Sequence, residues 1–115
     1  MIDDNILVKE TLSNILPTYH EMTVNSGVSI PCIMYMELSN IAIDEGDTLG
    51  YSRIQFQIKI IGYDLEIMNA KAREIDTAMR QIRYKRVSTN MMTDNKTMMI
   101  QRIFTYERLG KEDFE

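Results

Sequence analysis

The sequence holds one cysteine and one histidine in 115 residues. Cys32 alone excludes an internal disulfide, and His20 alone excludes any site that needs two imidazoles from one chain. No apolar run comes near the ~20 residues that span a bilayer, and no basic-then-apolar leader opens the chain. Neither membrane insertion nor secretion is therefore expected. A glycine-rich phosphate loop, His-Glu-x-x-His and Cys-x-x-Cys are all missing. No internal repeat, low-complexity tract or linker divides the chain. What remains is an ordinary globular balance, 44% hydrophobic and 26% charged, at a length that suits one domain with one core.

Charge is distributed unevenly. Residues 1–50 carry eight acids and a single base, Lys9, whereas residues 51–108 carry eleven bases and six acids. The net charge of −4 thus conceals an acidic first half and a basic second half. Such a chain can present faces of opposite sign, and copies could attract one another head to tail. The plainer alternative is that both sets neutralise each other within one compact monomer.

Periodicity locates the elements. Val8, Leu12, Ile15 and Leu16 recur at helical spacing over residues 3–16, with Asp3 or Asp4 as the cap and Pro17 as the stop. Residues 19–25 read as a short strand closed by the turn Asn25-Ser26-Gly27. Residues 28–38 alternate: Val28, Ile30, Cys32, Met34, Met36 and Leu38 form the expected core face. Pro31 removes a ladder donor and so points to an edge or a bulge. Residues 40–50 form an acidic loop. The strand 51–63 is the clearest, with Ile54, Phe56, Ile58 and Ile60 facing one way and Arg53, Gln55, Gln57 and Lys59 the other. Asp64 caps a helix reaching about Ile82, with the stripe Leu65, Met68, Ala72, Ile75, Met79 and Ile82 and an Asp76–Arg80 pair across one turn. A strand over 83–89, a turn over 90–96 and a strand over 97–108 follow. In that last strand Met98, Ile100, Phe104 and Tyr106 share a side that Arg102 breaks, and the tail 109–115 is expected to fray. This order predicts an α+β single domain: an antiparallel sheet with two helices packed on one face.

Candidate chemistry is sparse. A nucleophile needs a base beside it, and Cys32 has only His20 to call on. Cys32 lies on the apolar face of its strand, which favours a buried thiol, and His20 reads as a surface or rim histidine. Asp44, Glu45 and Asp47 could offer oxygens to a hard cation, but no carboxylate closes the shell; a solvated or partner-contacting loop is the better reading. The run Arg80, Arg83, Lys85 and Arg86 around Tyr84 could attract nucleic acid, although its place at a helix end explains it more simply. Of the ten methionines, Met34, Met36, Met68, Met79 and Met98 fall at core-facing positions. The Arg53-Gln55-Gln57-Lys59 face has no obvious cover from the rest of the chain and faces water or another subunit.

The order of elements resembles the tail-terminator (tail-completion) proteins of long-tailed phages. The similarity rests on the N-terminal helix, the segment Ser29–Tyr35, the strand Tyr51–Ile58, the helix containing Glu74–Met79, the Tyr84-Lys85-Arg86 strand and the final strand Ile100–Glu107. It covers about residues 5–108. The resemblance implies a structural virion protein, without catalysis or cofactor. It would form a homo-oligomeric, hexameric ring on the last ring of tail tube protein, docked to the head–tail connector or head-closure protein. DNA would be only passing cargo, and the site of action the virion neck, after assembly in the host cytoplasm. Another neck component, or a small nucleic-acid-binding module, is the alternative. The candidate contact residues are Asp44, Glu45 and Asp47 in the loop, Arg53, Gln55, Gln57 and Lys59 on the polar face, and Arg80, Arg83, Lys85 and Arg86 in the basic run.

Overall fold

A computed structural model describes residues 3–21, 29–43 and 51–111 of the chain. It has two helices, α1 (Asn5–Ser13) and α2 (Leu65–Gln81), and five strands: β1 (Thr18–His20), β2 (Cys32–Ile43), β3 (Tyr51–Gly62), β4 (Lys85–Thr93) and β5 (Ile100–Lys111). The strands form one sheet in the order β1-β2-β3-β5-β4. This is the expected α+β domain, with one correction: the sheet is mixed, because the short β1 pairs parallel to β2 while all other pairs are antiparallel. The connection from His20 to Cys32 is long enough to bring the chain back for a parallel pairing. Of the predicted 19–25 strand, Tyr19 and His20 are strand, and residues 22–28, with the expected Asn25-Ser26-Gly27 turn, lie outside the described residues.

β3 is the organising strand, paired on one side to β2 and on the other to β5. Its Ile54, Phe56, Ile58 and Ile60 are fully buried. Their lateral neighbours face the same way: Tyr35 lies opposite Ile58, and Tyr106 opposite Phe56. Val8 and Leu12 of α1 and Met68, Ile75 and Met79 of α2 close over this face, with Ala72 and Ile82 at the margin. Each such large apolar side chain contributes about 1.5–3 kcal/mol by leaving water. α2 starts as expected, since Asp64 Oδ1 accepts from the N–H groups of Glu66 (3.0 Å) and Ile67 (3.3 Å). Leu65 falls off the stripe and stands exposed. Gly62 lies close under the start of α2, where an added Cβ would meet Met68 Sδ at 3.3 Å and the methionine would have to give way.

The face of β2 is the main departure from expectation. Its buried, helix-facing residues are Ile33 and Tyr35, not the Cys32, Met34, Met36 and Leu38 set. Both sides of this strand are apolar, so its own alternation does not choose; pairing Ile33 to Ile60 and Tyr35 to Ile58 does. Cys32 is still fully buried, on the opposite face beside its partner Ile61, and burial pushes its thiol pKa up. Pro31 precedes the strand instead of lying within it, and the irregularity falls between Glu37 and Ser39. Residues 40–43, expected in the loop, continue β2. Met34 and Met36 are only partly buried, and Met98 is exposed in a hairpin turn. That turn falls later than predicted, after Thr93. There Asp94 Oδ1 accepts from the N–H of Lys96 at 2.8 Å. At the far end, Leu109 to Lys111 pair with β3, so this part of the expected tail is strand.

Candidate subunit interface

β4 forms one edge of the sheet and pairs only with β5. Every one of its residues is exposed. An edge strand presents a row of unpaired N–H and C=O groups that can template pairing with another chain. Its first half is guarded: Arg83, Lys85 and Arg86 bring three cations, and a register shift between Arg86 and Ser88 breaks the ladder. The second half, Ser88–Thr93, has no charge at all and shows Met91 and Met92 to solvent.

The way α2 ends explains where those cations stand. The Arg83 N–H donates to Arg80 O (2.9 Å) and the Tyr84 N–H to Met79 O (2.9 Å), the paired bonds of a Schellman ending. Arg83 occupies the left-handed position of that motif at φ 71°, where glycine is the ordinary residue. The chain then turns sharply into β4.

The polar face of β3 is not bare. Gln57 Nε2 donates to Glu21 Oε2 at 3.0 Å, and Lys59 Nζ pairs with Glu21 Oε1. Gln55 Nε2 donates to Glu107 Oε1 at 3.0 Å, with Arg53 Nε 3.7 Å from the same oxygen. Glu21, immediately after β1, thus satisfies two of the four groups from across β2. Because β3 is central, its backbone cannot add a neighbouring strand, and strand addition falls to the edges of the sheet, β4 on one side and the short β1 on the other. Arg80 pairs with Asp76 at 2.9 Å, as its spacing predicts. Arg83, Lys85 and Arg86 form no ion pair among the described residues. Asp44, Glu45 and Asp47 lie outside the described residues.

Part of the charge asymmetry is absorbed internally. Asp4 is buried and accepts from Tyr84 Oη (2.7 Å), Arg108 Nε (2.9 Å) and Arg108 Nη2 (2.6 Å). This ties the start of α1 to the entry of β4 and to β5. Asp4 therefore gives its side chain to the core instead of capping α1. The exposed Asp3 takes the local role, with Oδ1 accepting from the Asn5 N–H at 3.0 Å. Burial, then the neighbouring Asp4 carboxylate, pushes the Tyr84 hydroxyl pKa well up. Tyr106 is raised in the same way by burial and by Asp76, to which it donates at 3.2 Å. Burial is the largest single influence on Arg108 and opposes its charge, but the hydrogen bonds and charge attraction of Asp4 and Tyr84 together outweigh it and hold its pKa above the usual value. Sequence reasoning missed this cluster, whose members are up to 104 residues apart. The Arg102 break in the β5 pattern was its nearest outward signal: Arg102 is likewise a helix-facing arginine, bonded to Asn69 of α2.

The remaining features are modest. His20 stands edge-on to Tyr35 at 5.1 Å. An open groove between the helices is lined by Thr11, Ile15, Ala70, Glu74 and Thr77. Among the described residues no group of three or more His, Cys, Asp or Glu side chains is placed to hold a metal ion, and no helix is long and apolar enough to cross a membrane. Comparison with known protein families finds no family model that matches the chain, and comparison with curated proteins finds no match either.

Proposed function

We propose that this chain is a ring-forming structural protein of a phage neck, a tail terminator. The ring caps the head-proximal end of the tail tube, stops its polymerisation and offers the head connector a docking face. The observation that carries the reading is the β4 edge, a nine-residue strand with every side chain exposed and its outer side unpaired among the described residues. A self-sufficient monomer guards such an edge along its whole length; here the guard covers only the first few residues. The two sheet edges also differ, three-residue β1 at one and nine-residue β4 at the other. Joining one copy to the next is then head to tail, which closes into a ring when the rotation between copies allows. The cations at the start of β4 supply further contact chemistry.

Light scattering across a concentration series, with electron microscopy of the same samples, tests the reading. The expected result is a discrete oligomer that images as a ring and binds one end of isolated tail tubes. A strict monomer that stays monomeric when tubes are added overturns it, and a ring that binds portal but not tube moves the protein to the head-closure side of the neck.

A further inference from the structure

Asn69, Arg73, Asp76 and Thr77 fall at helical spacing on one face of α2. They stand over a groove of about 560 Å³ whose other wall is Arg86 of β4 with Arg102 and Phe104 of β5. The sheet brings these together: Arg102, Phe104 and Tyr106 alternate along the helix-facing side of β5, and Arg86 is the register partner of Tyr106. Three elements thus each bring an arginine to one groove. Arg73 and Arg86 are exposed, and neither has an ion-pair or hydrogen-bond partner among the described residues. Arg102 is held in place. Its Nη1 donates to Asn69 Oδ1, its guanidinium carbon lies 5.6 Å from the centre of the Phe104 ring, and its Nε is buried without an acceptor.

The polar side chains of this groove offer donors almost exclusively. Arginine has no acceptor. Asn69 gives its oxygen to Arg102, so its amide has N–H donors left to offer. Asp76 is the one carboxylate of the lining, and it already accepts from Tyr106 Oη at 3.2 Å and pairs with Arg80 at 2.9 Å. Three arginines against one aspartate leave the lining with an excess of two positive charges. Cations gathered in this way repel one another, and a buried donor left unbonded is costly. A doubly negative ligand that only accepts hydrogen bonds offsets both. We propose that the groove binds a phosphate group. The oxygens of a phosphate dianion accept without donating, and the planar guanidinium fork matches them two at a time. Arg102, already fixed by Asn69 and Phe104, needs little further ordering to take part, and Arg73 and Arg86 approach from α2 and β4. One phosphate group suits the groove better than a long run of nucleic-acid backbone, because the chain as a whole is at −4. The site lies within a single chain and does not depend on the ring.

The test is calorimetric titration of the full chain with inorganic phosphate, at slightly alkaline pH and at constant ionic strength in chloride. Binding with a Kd below about 1 mM is expected. Arg73→Gln/Arg86→Gln changes only exposed residues, and its thermal melt confirms folding. It should weaken binding about a hundredfold, since each hydrogen bond to a charged group contributes roughly tenfold or more. Lys9→Gln/Lys96→Gln removes the same charge from exposed positions outside the groove and should leave Kd within about twofold. No binding at roughly 10 mM phosphate, or equal weakening by the two variants, overturns the site. Succinate, a dianion of carboxylates, overturns the assignment to phosphate if it binds as tightly. A nucleoside monophosphate and a short DNA duplex, titrated in the same way, separate the sources of the group. Tighter binding of either, lost in Arg73→Gln/Arg86→Gln, supports the site and names the source; if neither exceeds inorganic phosphate, the free ion is the ligand.

Discussion

Replacing Asp4 with alanine tests the buried cluster that joins the two halves of the chain. Asp4 is 5% exposed and accepts three hydrogen bonds, one from Tyr84 and two from Arg108. The Arg108 side chain is only 18% exposed, so the variant leaves a guanidinium in a poorly hydrated place with no counter-charge. Removing one partner of a buried pair costs about 3–5 kcal/mol, and partial access of water to Arg108 places the expected loss near the low end, about 3 kcal/mol. With a urea slope of about 1.5 kcal/mol per molar for a domain of this size, the midpoint falls by about 2 M. Circular dichroism against urea measures this, with an unchanged slope showing that the loss is one of stability. Arg108→Met in the Asp4→Ala background should return part of the loss, because removing both charges leaves neither stranded. A midpoint shift worth less than about 0.5 kcal/mol, the range of an ordinary surface change, would refute the placement of this cluster in the core.

Ile58 is fully buried between Tyr35 and Phe104 at the centre of the sheet, and Ile58→Asn should abolish the cooperative melt, because a cavity and a buried amide are created together. Arg83→Gly should stabilise by up to about 1 kcal/mol, since glycine accepts φ 71° without strain; a lower melting temperature would remove the helix-ending argument. Stability should fall as pH rises above about 10, the ordinary tyrosine value, because Tyr84 and Tyr106 hold their protons more tightly folded than unfolded. Below that pH their contribution is intact, and from there upward the unfolded chain gains by ionising. Urea midpoints at pH 8 and above read this loss, and Tyr84→Phe/Tyr106→Phe should flatten it. Cys32, buried and with its thiol pKa raised, should react with a disulfide reagent only as fast as the domain opens, with labelling accelerating through the urea transition.

Two elements were readable from the sequence because polar and apolar residues contrast sharply along them. In β3 the contrast repeats every second residue, and in α2 every third or fourth, with Asp64 marking the start. β2 lacks that contrast. Ile33 and Tyr35 alternate with Cys32, Met34 and Met36, so either face could be buried, and only the pairing with β3 decides. β4 was blurred for the opposite reason: none of its residues is buried, so no burial pattern marks its extent, and Asn90 offered a false turn before Asp94. Of the candidate contacts, the Asp76–Arg80 pair was legible because helix geometry fixes four-residue neighbours. The bonds from Glu21 to Gln57 and Lys59 span 36 and 38 residues, and chain-distant pairs leave no local trace. For that reason the supposedly uncovered β3 face proved largely satisfied, and the open edge lay elsewhere.

The central position of β3 also bears on synthesis. When α2 emerges from the ribosome, β3 has met only β2, and its other side stays unpaired until β5 follows. Phe104, Tyr106 and Arg108 arrive last, yet they complete the hydrophobic centre and bond to Asp4. Native structure therefore waits for the final strand, and nascent chains stalled before about residue 100 hold an isoleucine-rich ribbon open to chaperones or to aggregation.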